Sequence, residues 1–548
     1  MSIRSSGRTV NPIAVLLVLT LGTFTTLLDL TIVNVAIPSI LDGLHASLDQ
    51  ILWVLNAYSL AYAVLLITSG RLGDIAGPRN LFVLGMVVFT TASVLSGLAQ
   101  DPTQLILARA TQGLGAAILA PQGMAILLAV LPAERRGIAF AAFGILAGLA
   151  VVAGPTVGGF LVTHFGWPSI FFVNLPIGAL TILLAMLIVP DVRPGRPHRL
   201  DLLGVLLATT GLLGVVYGLI EGQRYEWGTV RGPITIPMII AAGVAVLLIF
   251  LVYQARRQGR EPLLPFAVFR DRNFTISAGV LSAMGFAILG LYLPLTIYLQ
   301  SVLGLSAQDA GLTIAIQPVT TMFVSGFAGF LSQKVSGKYL LMPGLLLLAA
   351  GSAWIALSAH PDSSRWAFTP GLIVSGLGMG FIWTPLFSVA TRDLRPELAG
   401  VASGVINTIQ ELGGVIASAA VGALLQNRLA IALHDQAVRD SAQLPAAFRG
   451  RFVDGFSQAS RTGFEVGRGQ TGGSLDLPAG LPAAVAHTIQ QLAHDVFSNA
   501  FVSAMRPSMA LPIVILVVAA ASCLALRTRP ASVEAEAQSE AETPAAIA

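Results

Sequence analysis

The chain has 548 residues, of which 55% are hydrophobic and only 11% are charged, and its formal net charge is +4. A water-soluble domain contains about 25% charged residues, so this composition excludes a soluble globular protein and predicts a chain that crosses a membrane many times. The single cysteine, Cys523, excludes a disulfide framework and a cysteine-based metal site.

Fourteen runs of mostly apolar residues are long enough to cross a bilayer, which takes about 20 residues. We expect the first run to be a retained helix, because no small-residue cleavage site precedes Asp42. In chain order the runs lie near 12–37, 50–70, 81–99, 103–130, 138–162, 168–189, 201–220, 234–253, 274–299, 310–332, 339–358, 368–390, 400–426 and 507–526.

The positive charges predict how these runs are oriented. With the N-terminus inside, the inner segments hold 20 basic residues and the short outer loops hold 3. Segment 427–506 holds 7 more, but loops of that length escape the positive-inside rule. The bias favours an even number of spans, with both termini in the cytoplasm. We expect the membrane to be a bacterial cytoplasmic (inner) membrane.

Two short patterns recur at nearly equal distances. "LPAERRG" (131–137) and "LRPELAG" (394–400) share L-x-x-E-x-x-G, 263 residues apart. "GRLGDIAGPRNL" (70–81) and "GFLSQKVSGKYL" (329–340) lie 259 residues apart. The patterns predict two related six-helix halves separated by two extra helices, an all-α 6 + 2 + 6 arrangement typical of secondary transporters.

This arrangement divides the chain into four parts. We expect an N-terminal six-helix half in 1–190, a two-helix insertion in 191–260, a C-terminal six-helix half in 261–526 and a disordered acidic tail in 527–548.

The C-terminal half contains a predicted outer loop, 427–506. Its middle, "RTGFEVGRGQTGGSLDLPAG", has the composition of a flexible segment. An amphipathic helix is predicted from Pro482, because apolar residues then recur at three- and four-residue spacing, at Val485, Ile489, Leu492 and Val496. It would pack on the other helices or lie at the membrane interface.

Two charged residues interrupt apolar runs at similar depths. Asp29 lies about 12 Å from the outer end of the first run and Arg109 about 9 Å from that of the fourth, at 1.5 Å per residue. We therefore expect the two side chains to meet. A carboxylate inside the bilayer is costly and is a functional candidate by default, so we predict proton coupling through Asp29 and Arg109. The alternative is a static ion pair that holds helices together.

A second carboxylate, Glu411, lies about eleven residues into the thirteenth run, near mid-membrane at 1.5 Å per residue. Asn407 and Gln410 make its surroundings polar. We predict a role in proton coupling or substrate binding. The alternative is a protonated, hydrogen-bonded structural residue.

Two glycine-containing stretches have direct conformational interpretations. In "GRLGDIAGPRNLF" (70–82), Gly70 and Gly77 permit a tight reversal, and Asp74 can pair with helix-end amides or an arginine such as Arg79. In the fifth run, Gly154, Pro155, Gly158 and Gly159 predict a kinked and closely packed helix. An ordinary basic turn and a simple membrane-helix kink are the respective alternatives.

Several stretches together resemble the fourteen-span drug:proton antiporters of the major facilitator superfamily, from about residue 13 to 426. These stretches are "LDLTIVNVAIPSI", "GRLGDIAGPRNLF", "LARATQGLGAA", "GPTVGG", "FFVNLPIG" and "GVINTIQELGG". The resemblance implies a conformational motif in loop 2–3, an arginine function at Arg109, and an antiporter motif in the fifth helix that seals the cavity against leak.

The sequence departs from the family pattern at several positions. Ile75 and Pro78 replace basic residues of the loop motif, which weakens any charge-based latch there. Ala150 replaces a glycine and Ser169 a tryptophan of other family stretches. Glu411 does not belong to the family pattern, so its role depends on its burial alone.

These features together predict an antiporter that exports small lipophilic or cationic compounds in exchange for protons. Candidate cavity residues are Trp53, Tyr58, Tyr292, Tyr298, Trp383 and Asn407; the aromatic ones are equally compatible with packing or interfacial anchoring. An alternative is a proton-coupled transporter of one metabolite, lipid or antibiotic. A membrane enzyme or receptor would need a convergent catalytic set, which the sequence lacks.

The expected partners are protons, a small-molecule substrate and the lipid bilayer. Glycine-rich "GLGAA" (113–117) and "GLGMG" (376–380) lie within membrane runs rather than after a strand, so neither predicts a nucleotide site. We expect no cofactor, no metal and no nucleic acid, and a monomeric chain.

Overall fold

The computed structural model describes residues 11–44, 46, 48–131, 136–191, 201–222, 225, 227–258, 262–332, 334–392, 398–444, 446–462 and 483–527. These ranges contain most of each predicted apolar run. The predicted acidic tail and the middle of the predicted outer loop lie outside them.

The chain is built from helices. The first nine are α1 (Pro12–Leu44), α2 (Leu48–Ala76), α3 (Pro78–Gly97), α4 (Pro102–Val130), α5 (Arg136–Phe165), α6 (Ser169–Phe172), α7 (Asn174–Ile188), α8 (Leu202–Glu221) and α9 (Ile236–Arg256). The next nine are α10 (Ala267–Arg270), α11 (Arg272–Ile297), α12 (Ala307–Ile314), α13 (Ile316–Leu331), α14 (Gly337–Ser358), α15 (Thr369–Thr391), α16 (Ala399–Asp440), α17 (Ala446–Thr462) and α18 (Ala483–Ser522).

Short elements complete the described chain. A π-helical turn, Tyr298–Val302, extends α11, and 3-10 turns lie at Arg365–Phe368, Ser441–Gln443 and Cys523–Ala525. Between α8 and α9 a small antiparallel hairpin pairs β1 (Thr229–Arg231) with β2 (Ile234–Thr235).

The helix starts follow from local chemistry. Pro78 and Pro102 occupy the first helical positions of α3 and α4, where a missing N–H is tolerated. Asp101 caps α4 by accepting a hydrogen bond from the backbone N–H of Gln104 at 3.0 Å.

Each of the fourteen predicted runs is helical in the structure. Within the described ranges, twelve helical segments are long and apolar enough to cross a membrane. The other two runs fall on α2 and α5, whose apolar described stretches are the shorter Trp53–Leu66 and Thr156–Phe165. The predicted all-helical, multi-pass fold class is therefore confirmed.

The helices pack as two bundles with the same pattern of neighbours. In the first, α1 packs on α5 and α7, α3 on α4 and α7, and α2 on α4. In the second, α11 packs on α16 and α18, α14 on α15 and α18, and α13 on α15. The bundles meet where α2 contacts α16 and where α5 contacts α13 and α15.

One close helix crossing occurs in both bundles. A Cβ atom added at Gly115 would lie 2.5 Å from the backbone nitrogen of Phe89, and one added at Gly378 would lie 2.5 Å from that of Leu348. The glycines are 263 residues apart and their partners 259, the same two distances at which the short sequence patterns recur. This shared crossing supports the predicted relation between the halves.

The insertion α8–α9 packs on both bundles, with α8 in contact with α2 and with α16. Ala208 and Phe250 belong to the hydrophobic core of the second bundle. The Tyr217 ring lies 5.9 Å from that of Trp53 on α2. The insertion therefore spans the boundary between the bundles.

The described parts of segment 427–506 are helical rather than loop-like. Residues 427–440 continue α16, α17 follows, and 483–506 form the first part of α18. Ile489, Leu492 and Val496 are buried with Leu429 and Leu433 of α16, so the predicted amphipathic helix exists and packs on the protein. Its boundary was wrong, because it continues into the last span as one 40-residue helix.

Candidate functional site

Asp29 of α1 and Arg109 of α4 form a buried ion pair in the first bundle. Arg109 Nη1 donates to Asp29 Oδ2 at 2.5 Å. Asp29 is 0% and Arg109 1% exposed. The contact predicted from their depths is therefore present.

Neutral polar side chains complete the coordination of this pair. Gln112 accepts from Arg109 Nη1 at 2.7 Å and donates to Asp29 Oδ1 at 2.8 Å. Asn174 of α7 donates to Asp29 Oδ1 and to Ser93 Oγ, both at 3.0 Å. Asp29, Arg109, Gln112, Asn174 and Ser93, which we call the N-bundle cluster, thus join four helices.

The surroundings of Arg109 exclude water. The Tyr58 ring centroid lies 4.5 Å from the guanidinium carbon, and the Phe171 ring centroid lies 5.9 Å away. Arg109 Nε also donates to the carbonyl oxygen of Val54 at 3.4 Å. Removing one charge from such an enclosed pair would leave the other uncompensated, at a cost of about 3–5 kcal/mol.

Glu411 has a different environment. It lies on α16, which packs against α2 of the other bundle, and its side chain is partly exposed. It lies near Tyr62 and Tyr58 of α2, and it forms no hydrogen bond or ion pair with the described part of the chain. Within the described part of the chain, Glu411 is therefore an unpaired carboxylate at the boundary between the bundles.

The candidate cavity residues are dispersed. Tyr58 is buried against Arg109 rather than open to a cavity. Trp53 contacts Tyr217, and Trp383 stacks on Phe387 with ring centroids 5.7 Å apart. Asn407, four residues before Glu411 on α16, is partly exposed.

Tyr292 and Tyr298 have separate polar partners in the second bundle. The Tyr292 hydroxyl donates to Gln317 Oε1 at 2.7 Å. The Tyr298 hydroxyl donates to the backbone carbonyl oxygen of His360 at 2.6 Å.

The stretch predicted as loop 2–3 is mostly helical. Gly70 and the backbone of Asp74 belong to α2, which continues to Ala76, and the reversal is made by Gly77 alone, with φ 90°. Arg79 donates to the carbonyl oxygen of Met186 and so joins α3 to α7. The side chain of Asp74 lies outside the described part of the structure.

Helix α5 packs closely on α1. A Cβ added at Gly154 would collide with Thr31, and one added at Gly158 would lie 2.7 Å from Ile32 Cγ1. Gly159 has open space around it, so close approach explains only two of these glycines. The side chain of Pro155 lies outside the described part of the structure.

Sequence reasoning missed Gln112, Asn174 and Ser93. Gln112 and Asn174 lie inside "LARATQGLGAA" and "FFVNLPIG", so their signal was an amide side chain within an apolar run. No group of three His, Cys, Asp or Glu side chains within the described ranges is arranged to hold a metal.

The sequence is similar to those of known proteins over most of its length. The family model of the Major Facilitator Superfamily matches residues 19–418. An uncharacterized MFS-type transporter of Mycobacterium tuberculosis is 38% identical over 82% of this chain and 78% of its own. The probable actinorhodin transporter of Streptomyces coelicolor is 36% identical over 77% and 74%.

Multidrug resistance protein Stp of Mycobacterium tuberculosis is 33% identical over 77% of this chain and 78% of its own. Among solved structures, that of the human organic anion transporter MFSD10 covers 93% of this chain and 100% of its own with a TM-score of 0.56. At 12% identity, this last likeness shows the fold alone.

Proposed function

Because the chain belongs to the Major Facilitator Superfamily of membrane transporters, we propose that it exports small lipophilic or cationic compounds in exchange for protons. Transport would proceed by rocking of the two bundles around a site between them. The names of the multidrug resistance and antibiotic export relatives support the substrate class. The charge bias of the loops supports a bacterial cytoplasmic membrane, in which the chain acts as a monomer.

The observation that carries this proposal is the carboxylate of Glu411, which lies at the boundary between the bundles and has no ion-pair partner among the described residues. A carboxylate with no cationic partner can hold either a proton or the positive charge of a substrate. The two ligands then compete for one group, which couples their binding reciprocally. This competition is the thermodynamic basis of exchange.

Asp29 has a second role in the proposal. Its ion pair with Arg109 is fully enclosed, so it is less available than Glu411 for direct substrate contact. Protonation of Asp29 would remove the charge that holds α1 against α4. We assign Asp29, with Arg109, to gating the bundle rearrangement in response to protons.

The test compares Glu411→Gln with the unaltered chain in everted membrane vesicles at matched protein levels. Efflux of a lipophilic cation should fall at least about tenfold, the change that a charged contact accounts for. Efflux of an uncharged compound should fall much less. Equal losses for both would make Glu411 a general coupling or structural group, and no loss would remove it from the mechanism.

A second candidate function is the transport of one particular compound. Relatives named for single compounds favour it, among them the probable actinorhodin transporter and a riboflavin transporter of Clostridioides difficile. A susceptibility panel in a pump-deficient host distinguishes the two: protection against several unrelated drugs supports broad export, and protection against one supports the specific transporter.

A further inference from the structure

The hydrogen bonds that Asp29 forms within the described ranges all come from donors. Arg109 Nη1 donates to its Oδ2, and Gln112 Nε2 and Asn174 Nδ2 donate to its Oδ1, at 2.5, 2.8 and 3.0 Å. An ionised carboxylate only accepts hydrogen bonds, so this arrangement fits the ionised form. A protonated Asp29 carries an O–H that needs an acceptor, and none of these three nitrogen atoms can serve as one.

Asn174 is the neighbour that can supply an acceptor. Its side chain is fully buried, and its Oδ1 has no hydrogen-bond partner among the described residues. The amide oxygen of Gln112, in contrast, already accepts from Arg109 Nη1 at 2.7 Å. Turning the Asn174 amide by about 180° exchanges its nitrogen and its oxygen, which brings an acceptor to Asp29 without breaking a bond to that oxygen. Protonation of Asp29 therefore favours reversal of Asn174.

The reversal extends to a further helix through Ser93 of α3. In the ionised arrangement, Ser93 Oγ accepts from Asn174 Nδ2 at 3.0 Å and donates to the backbone carbonyl oxygen of Phe171 at 2.9 Å. After the reversal, the oxygen of Asn174 faces the Ser93 hydroxyl. A hydroxyl has one hydrogen to donate, so Ser93 can bond to Asn174 only by releasing Phe171.

We propose that Asn174 and Ser93 are positioning residues that relay protonation of Asp29 to Phe171. The proton stays on Asp29, the Asn174 amide turns, the Ser93 hydroxyl changes its acceptor, and the carbonyl of Phe171 loses its bond to α3. Phe171 belongs to α6, which packs on α3 and precedes α7. The relay thus connects a proton on α1 to the contact between α3 and α6, and it rests on the gating role proposed above for Asp29.

The charged and titratable groups near Asp29 leave its carboxylate as the group that changes charge. Arg109 of α4 and Tyr58 of α2 lie beside it, and neither changes its protonation state between acidic and neutral pH. Helices α6 and α7 contain no charged or titratable residue, and α5 carries only Arg136 and His164, near its two ends. The other charged residues of α1 and α2 also lie near the ends of those helices.

The test follows the carbonyl carbon of Phe171 by solid-state NMR of the full-length chain in lipid, without a proton gradient. Phe171–Phe172 is the one Phe-Phe pair in the sequence. Phenylalanine labelled with ¹³C at the carbonyl and ¹⁵N at the amide therefore gives a single directly bonded ¹³C–¹⁵N pair. We expect the Phe171 signal to move as the pH falls from about 8 to about 4, the range over which carboxylates in proteins take up protons.

Two variants should hold the signal at opposite positions. Ser93→Ala removes the donor, so the signal should stay at its acidic position at every pH. Asn174→Leu leaves Ser93 bonded to Phe171, so the signal should stay at its neutral position. Movement of the signal in Asn174→Leu would overturn the proposal, as would an immobile signal in the unaltered chain.

Gln112→Leu is the matched control, because Gln112 also donates to Asp29 Oδ1 but forms its described side-chain hydrogen bonds with Asp29 and Arg109 only. In this variant the Phe171 signal should still move with pH. Its immobility would make the response a general effect of disturbing the ion pair and would overturn the relay. Asp29→Asn/Arg109→Gln, which removes both charges, should abolish the movement; movement that persists there would originate elsewhere and would also overturn the relay.

The relay and the proposed function fail separately. The NMR measurement requires neither a gradient nor a substrate, and Glu411→Gln should leave the movement of the Phe171 signal intact. A chain whose signal moves but whose efflux does not depend on a proton gradient would keep the relay and lose the proposed function. Proton-driven efflux with an immobile Phe171 signal would remove only the relay.

Discussion

The two bundles contain different side chains at corresponding positions. In the first, an ion pair and three neutral side chains fill the space between α1, α3, α4 and α7. In the second, Ile288 and Leu372 stand 259 and 263 residues after Asp29 and Arg109, and these side chains cannot form an ion pair. The contrast shows that one helix arrangement accommodates either an ion pair or apolar side chains at corresponding positions.

The largest expected effect, on both stability and transport, comes from a change in the N-bundle cluster. Asp29→Asn keeps the side-chain shape but leaves Arg109 buried without a counter-charge, so the free energy of unfolding should fall by about 3–5 kcal/mol. Gradient-driven efflux should be abolished while the protein still reaches the membrane. Thermal unfolding of the solubilised chain and efflux from everted vesicles measure the two effects.

The double variant Asp29→Asn/Arg109→Gln separates stability from coupling. Removing both charges should restore most of the lost stability, because no unpaired charge remains. If proton coupling depends on the pair, efflux stays abolished in the restored protein. Recovery of efflux together with stability would mean that the pair only holds the helices together.

A smaller effect tests whether the bundles are equivalent. Gly113→Ala and Gly376→Ala each place a Cβ against the backbone carbonyl of the neighbouring helix. Both should lower the free energy of unfolding by similar amounts, about 1–3 kcal/mol for overpacking. Thermal unfolding of the two variants, side by side, gives the comparison.

Gly123→Ala and Gly326→Ala are the controls for this pair. An added Cβ at either position meets no heavy atom of the described chain within 4 Å, so alanine should be neutral or stabilising in these helices. A loss at Gly113 but none at Gly376 would contradict the structural equivalence of the two bundles.

The smallest effect concerns segment 427–506, which the first bundle lacks. The buried residues of this segment include Leu429, Phe452 and Ile489. Deleting 463–473 leaves all of them in place, so transport should be retained and stability should change by about 0.5 kcal/mol or less. Loss of transport at normal expression would make this segment a working part of the transporter.

The sequence alone was sufficient to predict the helices and one contact of the N-bundle cluster, that between Asp29 and Arg109. Apolar runs must be helical in a bilayer because every backbone polar group needs a partner there. Asp29 and Arg109 were predictable because charges are rare at that depth and both lie at similar levels. Gln112 and Asn174 were less visible, because amide side chains in membrane helices also serve ordinary packing.

Other features left little trace in the sequence. The second bundle has Leu372 at the position that corresponds to Arg109, and one more leucine in an apolar run predicts nothing by itself. Helix α16 extends past the apolar run because buried residues of α17 and α18 cover it. Its polar composition there resembles that of a loop, so only the tertiary contacts reveal the helix.

The length of α16 has a mechanical consequence. From Glu411 to Asp440 the helix contains no proline and extends about 44 Å at 1.5 Å per residue. A tilt of about 10° at the level of Glu411 would displace the far end by about 8 Å over that length. In the transport cycle proposed above, the Asp440 end of α16 would therefore move with the bundle boundary, and an antibody fragment bound at that end should slow transport.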